Sequence, residues 1–280
     1  MSIKKNKRNI LISSVASTTG QNLAHFFSAM DYKLFGIDAI FVQFKFGTYS
    51  LCPSASSDIE FSDFLRSLVE RYKVDRIFLC NDLELNAVAK NWKDDELMAQ
   101  GLPVAKSIEL FQDKKISGII ATQYGFSKIP EISSDTKTQV DLHIKNRFSF
   151  TRPKTNIESK SFPKIDNKLL LIQEKIGGLE FTADTFYSKK LDIMKVMIRR
   201  RLGIIGGIST QAEFHKLTGV KLGIERMIRD FGLEGFGSVQ FIQRDNNFFF
   251  LEMNTRPGGG LKLSLNSGMF SDPTDINFCK

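Results

Sequence analysis

Gln240, Glu252, Asn254 and Arg256 are residue types that hold a hard cation and a phosphoryl group, and their spacing brings them to one surface. Apolar-rich runs at 239–244 and 248–254 flank Asp245-Asn246-Asn247, residues that tolerate a tight turn, so the segment is expected to be a β-hairpin. A three-residue loop pairs Arg244 with Phe248. Counting back in step sets Gln240 opposite Glu252 and Ser238 opposite Asn254. Strand side chains alternate between faces, so Gln240, Glu252 and Asn254 then share one face. Three oxygen donors of this kind suit Mg2+, which completes its shell with water and nucleotide phosphates; Mn2+ takes the same ligands. Arg256 follows in phase, and its planar fork of donors suits a phosphoryl group in transfer. The alternative is a hairpin whose polar face is merely solvated, and the glutamine placed across the strands weighs against it.

Other segments carry weaker signals. Leu171-Ile172-Gln173-Glu174-Lys175-Ile176-Gly177-Gly178-Leu179-Glu180 reads as strand, turn and strand. Its backbone edge at 174–176 offers hydrogen bonds, and Glu180 can accept from hydroxyl groups. Arg199 and Arg201 fall on one face of an expected strand, and a solvated basic face is the competing reading. Pro257-Gly258-Gly259-Gly260 leaves backbone open to close approach, or is only a flexible turn. Ser17-Thr18-Thr19-Gly20 joins a strand to a helix and offers N–H groups to an anion, with a plain connection as the alternative. Asp38 and Asp82 end strands where a nucleotide-binding sheet would place acids, but no G-x-G-x-x-G accompanies them. His25, His143 and His215 share no spacing and receive no role. Neither G-x-S-x-G nor H-E-x-x-H occurs, which leaves hydrolase readings without support.

Gln240 with Glu252-Met253-Asn254-Thr255-Arg256-Pro257 resembles the metal-binding signature of ATP-grasp enzymes, in the glutamine variant found in carbamoyl-phosphate synthase large-chain domains. The 171–184 segment resembles the same family's Q-E-x-I-x-G-x-E-x-x-x-D stretch. The resemblance implies that Gln173, Glu174, Lys175 and Ile176 form the adenine-binding hinge and that Glu180 takes the ribose. It implies a phosphate-binding lysine on the 140–145 strand, for which Lys145 is the candidate. It places Arg199, Arg201 and Arg256 on the phosphate and acceptor side. The chain departs from the pattern after Lys145: the usual proline is Asn146, and Arg147-Phe148-Ser149-Phe150-Thr151-Arg152 replaces a glycine-rich loop. By resemblance, ATP lies between a lid and the C-terminal sheet, Mg2+ on Gln240, Glu252 and Asn254 neutralises the phosphates, and a small-molecule carboxylate is phosphorylated for attack by an amine. The alternative of a different class is a nucleotide-binding protein with weakened turnover and a regulatory role.

The elements that must position these groups follow from hydrophobic periodicity. From residue 8 to about 110, strands at 9–15, 33–37 and 76–80 alternate with helices at 20–30 and 60–72, which implies a parallel α/β sheet. Asp113-Lys114-Lys115 opens a helix, and the polar 126–168 segment, with Pro130, Pro153 and Pro163, suits a small lid. Strands at 168–173, 180–187 and 193–202, a helix near 210–230, and the hairpin make an antiparallel α+β part. The expected fold is therefore an α/β N-terminal domain at 1–110, a small central subdomain at 111–168, and an ATP- and metal-binding subdomain at 169–280. The basic Lys4, Lys5, Lys7 and Arg8 precede an apolar run too short for a signal peptide and better suited to a first strand. The chain has 280 residues, 42% hydrophobic and 25% charged, with no apolar stretch long enough to span a membrane. Its charge of +8 accompanies no nucleic-acid-binding motif, so no specific nucleic acid is expected, and a homo-oligomer is open. Cys52, Cys80 and Cys279 are odd in number and dispersed, which suits reduced thiols in the cytoplasm.

Overall fold

A computed structural model describes residues 8–30, 32–132, 140–151, 155–159 and 168–270. Lys4, Lys5, Lys7, Arg152, Pro153, Pro163 and Cys279 lie outside the described residues. The chain begins with β1 (Arg8–Ile12), α1 (Thr18–Ser28), β2 (Tyr32–Asp38), β3 (Gly47–Leu51), α2 (Asp58–Tyr72), β4 (Arg76–Phe78), α3 (Asp82–Asn91), α4 (Asp94–Ala99) and α5 (Ala105–Gln112). The four strands form a parallel sheet in the order β3-β2-β1-β4. Alternation along β1 sends Leu11 into a core with Phe35, Ile77, Phe61 and Leu65, while Ile10 and Ile12 join Leu23, Phe27 and Phe78 on the other face. Because β2 and β4 lie on opposite sides of β1, the carboxyl ends of β1 and β4 open a crevice of the kind where α/β sheets bind ligands.

Next come α6 (Lys114–Ala121), β5 (Leu142–Asn146), β6 (Asn156–Ser159), β7 (Leu170–Glu174), β8 (Leu179–Ser188), β9 (Ile193–Ile205), β10 (Ile208–Phe214), α7 (Thr218–Asp230), β11 (Gly235–Arg244), β12 (Asn247–Asn254) and α8 (Leu261–Asn266). Strands β6-β5-β7 form a small antiparallel sheet, so β7 pairs with the preceding segment rather than with the strands that follow it. The larger antiparallel sheet runs β10-β9-β8-β11-β12. One of its faces, with Phe181, Ala183, Ile198, Val239, Phe241, Phe250 and Met253, packs on Ile224, Met227 and Ile228 of α7. The other face is apolar at one end, where Phe186 and Phe236 pack with Phe27, Phe78 and Phe270, and carries the polar groups described below along the rest.

Strands β3, β6 and β10 are absent from the sequence reading. β10 occupies the first part of the 210–230 stretch expected to be helical: Phe214 pairs with Arg199 and Ile208 with Ile205, and the helix begins only at Thr218. Its residues are mostly polar and exposed, so pairing with β9 rather than apolar periodicity makes it a strand. β3 is an edge strand of the same exposed kind.

Candidate functional site

The hairpin reaches the expected pairing by a different route. Its turn has two residues, Asp245 and Asn246, with Asp245 at φ 55°. Arg244 therefore pairs with Asn247, and Gln243 with Phe248. That shift alone would turn Glu252 to the apolar face. A β-bulge at Leu251 adds one residue on β12, so Gln240 again faces Glu252 and Ser238 faces Asn254.

Across the sheet, these pairs extend into rows on one face. Gln240 faces Thr182, which faces Arg199, and Ser238 faces Asp184. Thr182 is buried beneath the row between Arg199 and Gln240. The glycines of 257–260 cross this face: a Cβ on Gly258 would lie 3.3 Å from Ser238 Oγ, and one on Gly260 would lie 2.5 Å from Arg199 Nη2. Only glycine permits that approach at residue 260, because the Arg199 side chain is itself fixed.

Glu252 is the electrostatic centre. Its Oε2 lies 3.2 Å from Lys114 Nζ, and its Oε1 accepts a 3.0 Å hydrogen bond from Asn254. Burial pushes its carboxyl up, but Lys114, Asn254 and Lys145 outweigh burial and hold it at about 2. Lys145, on β5, donates to the Leu251 carbonyl at 3.1 Å, so the bulge residue supplies its acceptor. Burial lowers the Lys145 ammonium to about 8, against the attraction of Glu252. Glu252 thus stays ionised between two ammonium groups that come from different segments.

The three arginines are held in three different ways. Arg199 is buried and donates from Nε to Asp184 at 2.7 Å; Ser264 donates to the same carboxylate oxygen at 2.6 Å. Arg199 Nη1 has no partner among the described residues. Arg201 contacts Glu180 at 3.1 Å, Ser209 at 3.0 Å and Gln240 at 3.5 Å. Arg256 makes a bidentate pair with Asp82, 2.8 Å to each oxygen. Its fork is therefore committed to the N-terminal domain. Asp82 also has its backbone carbonyl fixed by Gln112 Nε2 at 2.9 Å.

In the segment expected to form the hinge, Gln173 and Glu174 end β7, and Lys175 and Ile176 lead into β8. The Glu174 and Lys175 N–H groups donate to Pro130 and Asp141. The N–H of Ile176 has no partner among the described residues, which leaves one donor at the position where an adenine edge is expected. Ile176 packs with Ile129, Ile242 and Phe249 in a small apolar cluster at that end of the cleft.

Two of the four N–H groups in the turn at 17–20 are spent internally, and those of Thr18 and Thr19 have no partner among the described residues. Ser17 N–H donates to Ser14, Gly20 N–H to Ser17 Oγ, and Ala16 N–H to Asp38 at 2.8 Å. In the same crevice Glu84 is buried and accepts from Ser13 and Ser14, the latter at 2.7 Å. Burial raises the Glu84 carboxyl to about 7 despite those hydroxyl bonds, and Asp38 adds to the rise.

Sequence reasoning missed Lys114, Thr182 and Asp113, and it singled out Asp82 without its pairing to Arg256. The signal for Lys114 was present, since Asp113-Lys114 was read as a helix start but not as a charge aimed into the cleft.

A family described as ATP-grasp in the biosynthetic pathway with Ter operon matches residues 166–271. No curated protein sequence matches the chain. The fold is similar to that of the L-amino acid ligase from Bacillus licheniformis, at TM-score 0.66 and 15% identity, covering 92% of this chain and 69% of that one. It is also similar to D-alanine–D-alanine ligase from Bacillus anthracis, at TM-score 0.58 and 15% identity, covering 93% and 92%. A third similar structure is the biotin carboxylase domain of the Hydrogenobacter thermophilus 2-oxoglutarate carboxylase in complex with MgADP and bicarbonate, at TM-score 0.58 and 13% identity, covering 90% and 64%. With a parallel N-terminal sheet, a small antiparallel sheet and a larger antiparallel sheet bearing Gln240, Glu252 and Asn254, the chain has the ATP-grasp fold.

Proposed function

We propose that the chain is an ATP-dependent ligase that activates a carboxylate as an acylphosphate for attack by an amine. The observation that carries this reading is the meeting of Lys114, Lys145, Gln240, Glu252 and Asn254 at one sheet face, beside the 173–176 segment, where the Ile176 N–H has no partner among the described residues. Two ammonium groups suit the phosphates of a nucleotide. Ile129, Ile176, Ile242 and Phe249 would pack on its base. Glu180, held by Arg201, would accept from the ribose.

The donor set fits a cation that brings ligands of its own. The described residues hold no cluster of three His, Cys, Asp or Glu, and the hairpin offers one carboxylate and two amide oxygens. Mg2+ is commonly held by one or two carboxylates together with nucleotide phosphates rather than by an all-protein cage. Glu252 would hold it, with Gln240 and Asn254 oriented by the same pairing. When bound, it supplies neutralisation of the phosphate charge. Catalysis of this kind is positioning and electrostatic stabilisation, and it needs no protein nucleophile. Arg201 faces the row that starts at Gln240, and Arg199 closes that row two strands from it, roughly 10 Å away. The acceptor carboxylate would lie over Thr182 between them, with the amine admitted past the 257–260 glycines. Arg256 reaches this chemistry only through its pair with Asp82, which ties the N-terminal crevice to the end of the hairpin.

The test is calorimetric titration of ATP into the full chain with Mg2+ and with chelator, followed by ADP release against a panel of carboxylates and amines. The expected result is Mg2+-dependent binding and ADP release that needs both substrates. Absence of nucleotide binding overturns the reading.

A further inference from the structure

The glycine-free loop after β5 is fastened to the junction of α5 and α6. Arg147 accepts at its carbonyl from the Lys114 N–H at 2.9 Å, and the Ser149 N–H donates to the Gln112 carbonyl at 2.9 Å. These bonds satisfy the last carbonyl of α5 and the first N–H of α6, groups that helices leave without internal partners. Asp113, between the two helices, takes two jobs with one carboxylate. Its Oδ1 caps α6 by accepting from the N–H groups of Lys115 and Ile116 at 2.9 and 3.3 Å. Both oxygens accept from Arg147, at 3.1 and 3.0 Å from Nε and 2.6 Å from Nη2. The Asp113 carboxylate is buried, at 5% exposure, while the Arg147 side chain is 30% exposed, so the acid end of the contact is shielded from solvent. The Arg147 guanidinium also lies over the Phe148 ring, which stacks on Phe150.

The geometry points to Asp113 as a positioning residue that latches the 146–151 loop as a fixed wall beside the phosphate-binding cleft, acting through Arg147 and Lys114. This rests on the reading of the cleft as a nucleotide site. A glycine-rich loop closes over phosphate by bringing backbone amides close. Here the Lys114 and Ser149 amides are spent on the latch, and α6 gives its first three N–H groups to Arg147 and Asp113. The charge this wall offers to phosphate is the Lys114 ammonium, carried at the first helical position that Asp113 fixes. The loop thus contributes rigidity where a glycine-rich loop contributes closure, and nucleotide retention depends on a salt bridge outside the cleft.

Hydrogen exchange of the nucleotide-free full chain tests the latch, using Arg147→Gln, Arg147→Lys and Asp113→Asn. Asparagine keeps a capping oxygen for α6 but loses the charge that holds Arg147. Removing a charge-assisted bidentate contact should raise exchange at 146–151 by about tenfold, with α6 unchanged in Asp113→Asn. Arg147→Lys should fall between, because it keeps the charge and loses the fork. MgADP dissociation, followed by stopped flow, should quicken in the same order. Unchanged exchange at 146–151 in both Arg147→Gln and Asp113→Asn overturns the latch. Raised exchange with an unaltered MgADP dissociation rate overturns its role in retention. Variants that show the exchange effect together with a wild-type chain that binds no MgADP overturn the nucleotide reading and the positioning role, and leave the contact itself as a structural feature.

Discussion

Two glutamates mark the two halves of the molecule, and their surroundings drive them in opposite directions. Glu252, on the C-terminal hairpin, is held at about 2 because Lys114, Asn254 and Lys145 outweigh the cost of burial. Glu84, in the crevice of the N-terminal sheet, is raised to about 7 because hydroxyl hydrogen bonds from Ser13 and Ser14 do not offset burial, and Asp38 adds like charge. The comparison separates two uses of a carboxyl group. Glu252 keeps a charge that can be traded between an ammonium and a cation. Glu84 sits near neutrality and serves as a hydrogen-bonding post for the end of β1. The two are linked, since Asp82, two residues before Glu84, holds Arg256 four residues past Glu252.

The largest effect is expected from removing the charge of the first glutamate. Glu252→Gln keeps shape and a hydrogen-bond acceptor but leaves Lys114 and Lys145 facing an amide. Charged hydrogen bonds contribute about 1.5–3 kcal/mol, and the cation loses its one carboxylate, so Mg2+-dependent ATP affinity should fall by at least about a hundredfold. Titration calorimetry reads it, and an affinity within threefold of wild type would place the metal elsewhere.

Lys114→Met sharpens the same half by separating its two partners. Lys114 is buried and 3.2 Å from Glu252, so it would compete with the proposed cation for that carboxylate while also facing the proposed phosphate site. The variant should therefore bind MgATP about tenfold more weakly and Mn2+ alone more tightly. Mn2+ binding is read by electron paramagnetic resonance. A parallel loss of both affinities would show that Lys114 only supports the structure of Glu252.

The sequence made the hairpin face legible because β pairing has period two and Gln240, Glu252 and Asn254 are in phase. Its turn was read one residue too long, and the bulge at Leu251 cancels that error. A bulge leaves no periodic signal, so the pairing was recovered although the path to it was not. β10 was hidden by its exposed polar residues. The Asp113 hub was illegible for another reason: Gln112, Asp113 and Lys114 act on residues 82, 147, 149 and 252, contacts that arise only when distant segments pack. The α/β character of the first half was plain from alternating strands and helices, but the acids of its crevice carried no motif. Ser13, Ser14, Asp38 and Glu84 become a cluster only once β1, β2 and α3 converge.

The smallest effect on the cleft, and the one that isolates the second glutamate, is expected from Glu84→Gln. The folded carboxyl titrates above its unfolded value of 4.5, so what it contributes to stability is fully present below about 4.5 and is lost as pH rises through about 7. A displacement of that size corresponds to a loss on the order of 3 kcal/mol between pH 4.5 and 8. Glutamine does not ionise and can both accept from one serine hydroxyl and donate to the other. The variant should therefore match or exceed wild-type stability at pH 8, and chemical denaturation across pH 5 to 8 should show a flatter profile. MgATP affinity should stay within about twofold, because among the described residues no hydrogen bond joins Glu84 to the hairpin and distant sites act additively. If affinity instead drops with the Glu84 substitution while stability is retained, the crevice is coupled to the cleft through Asp82 and Arg256, and the two glutamates belong to one site rather than two.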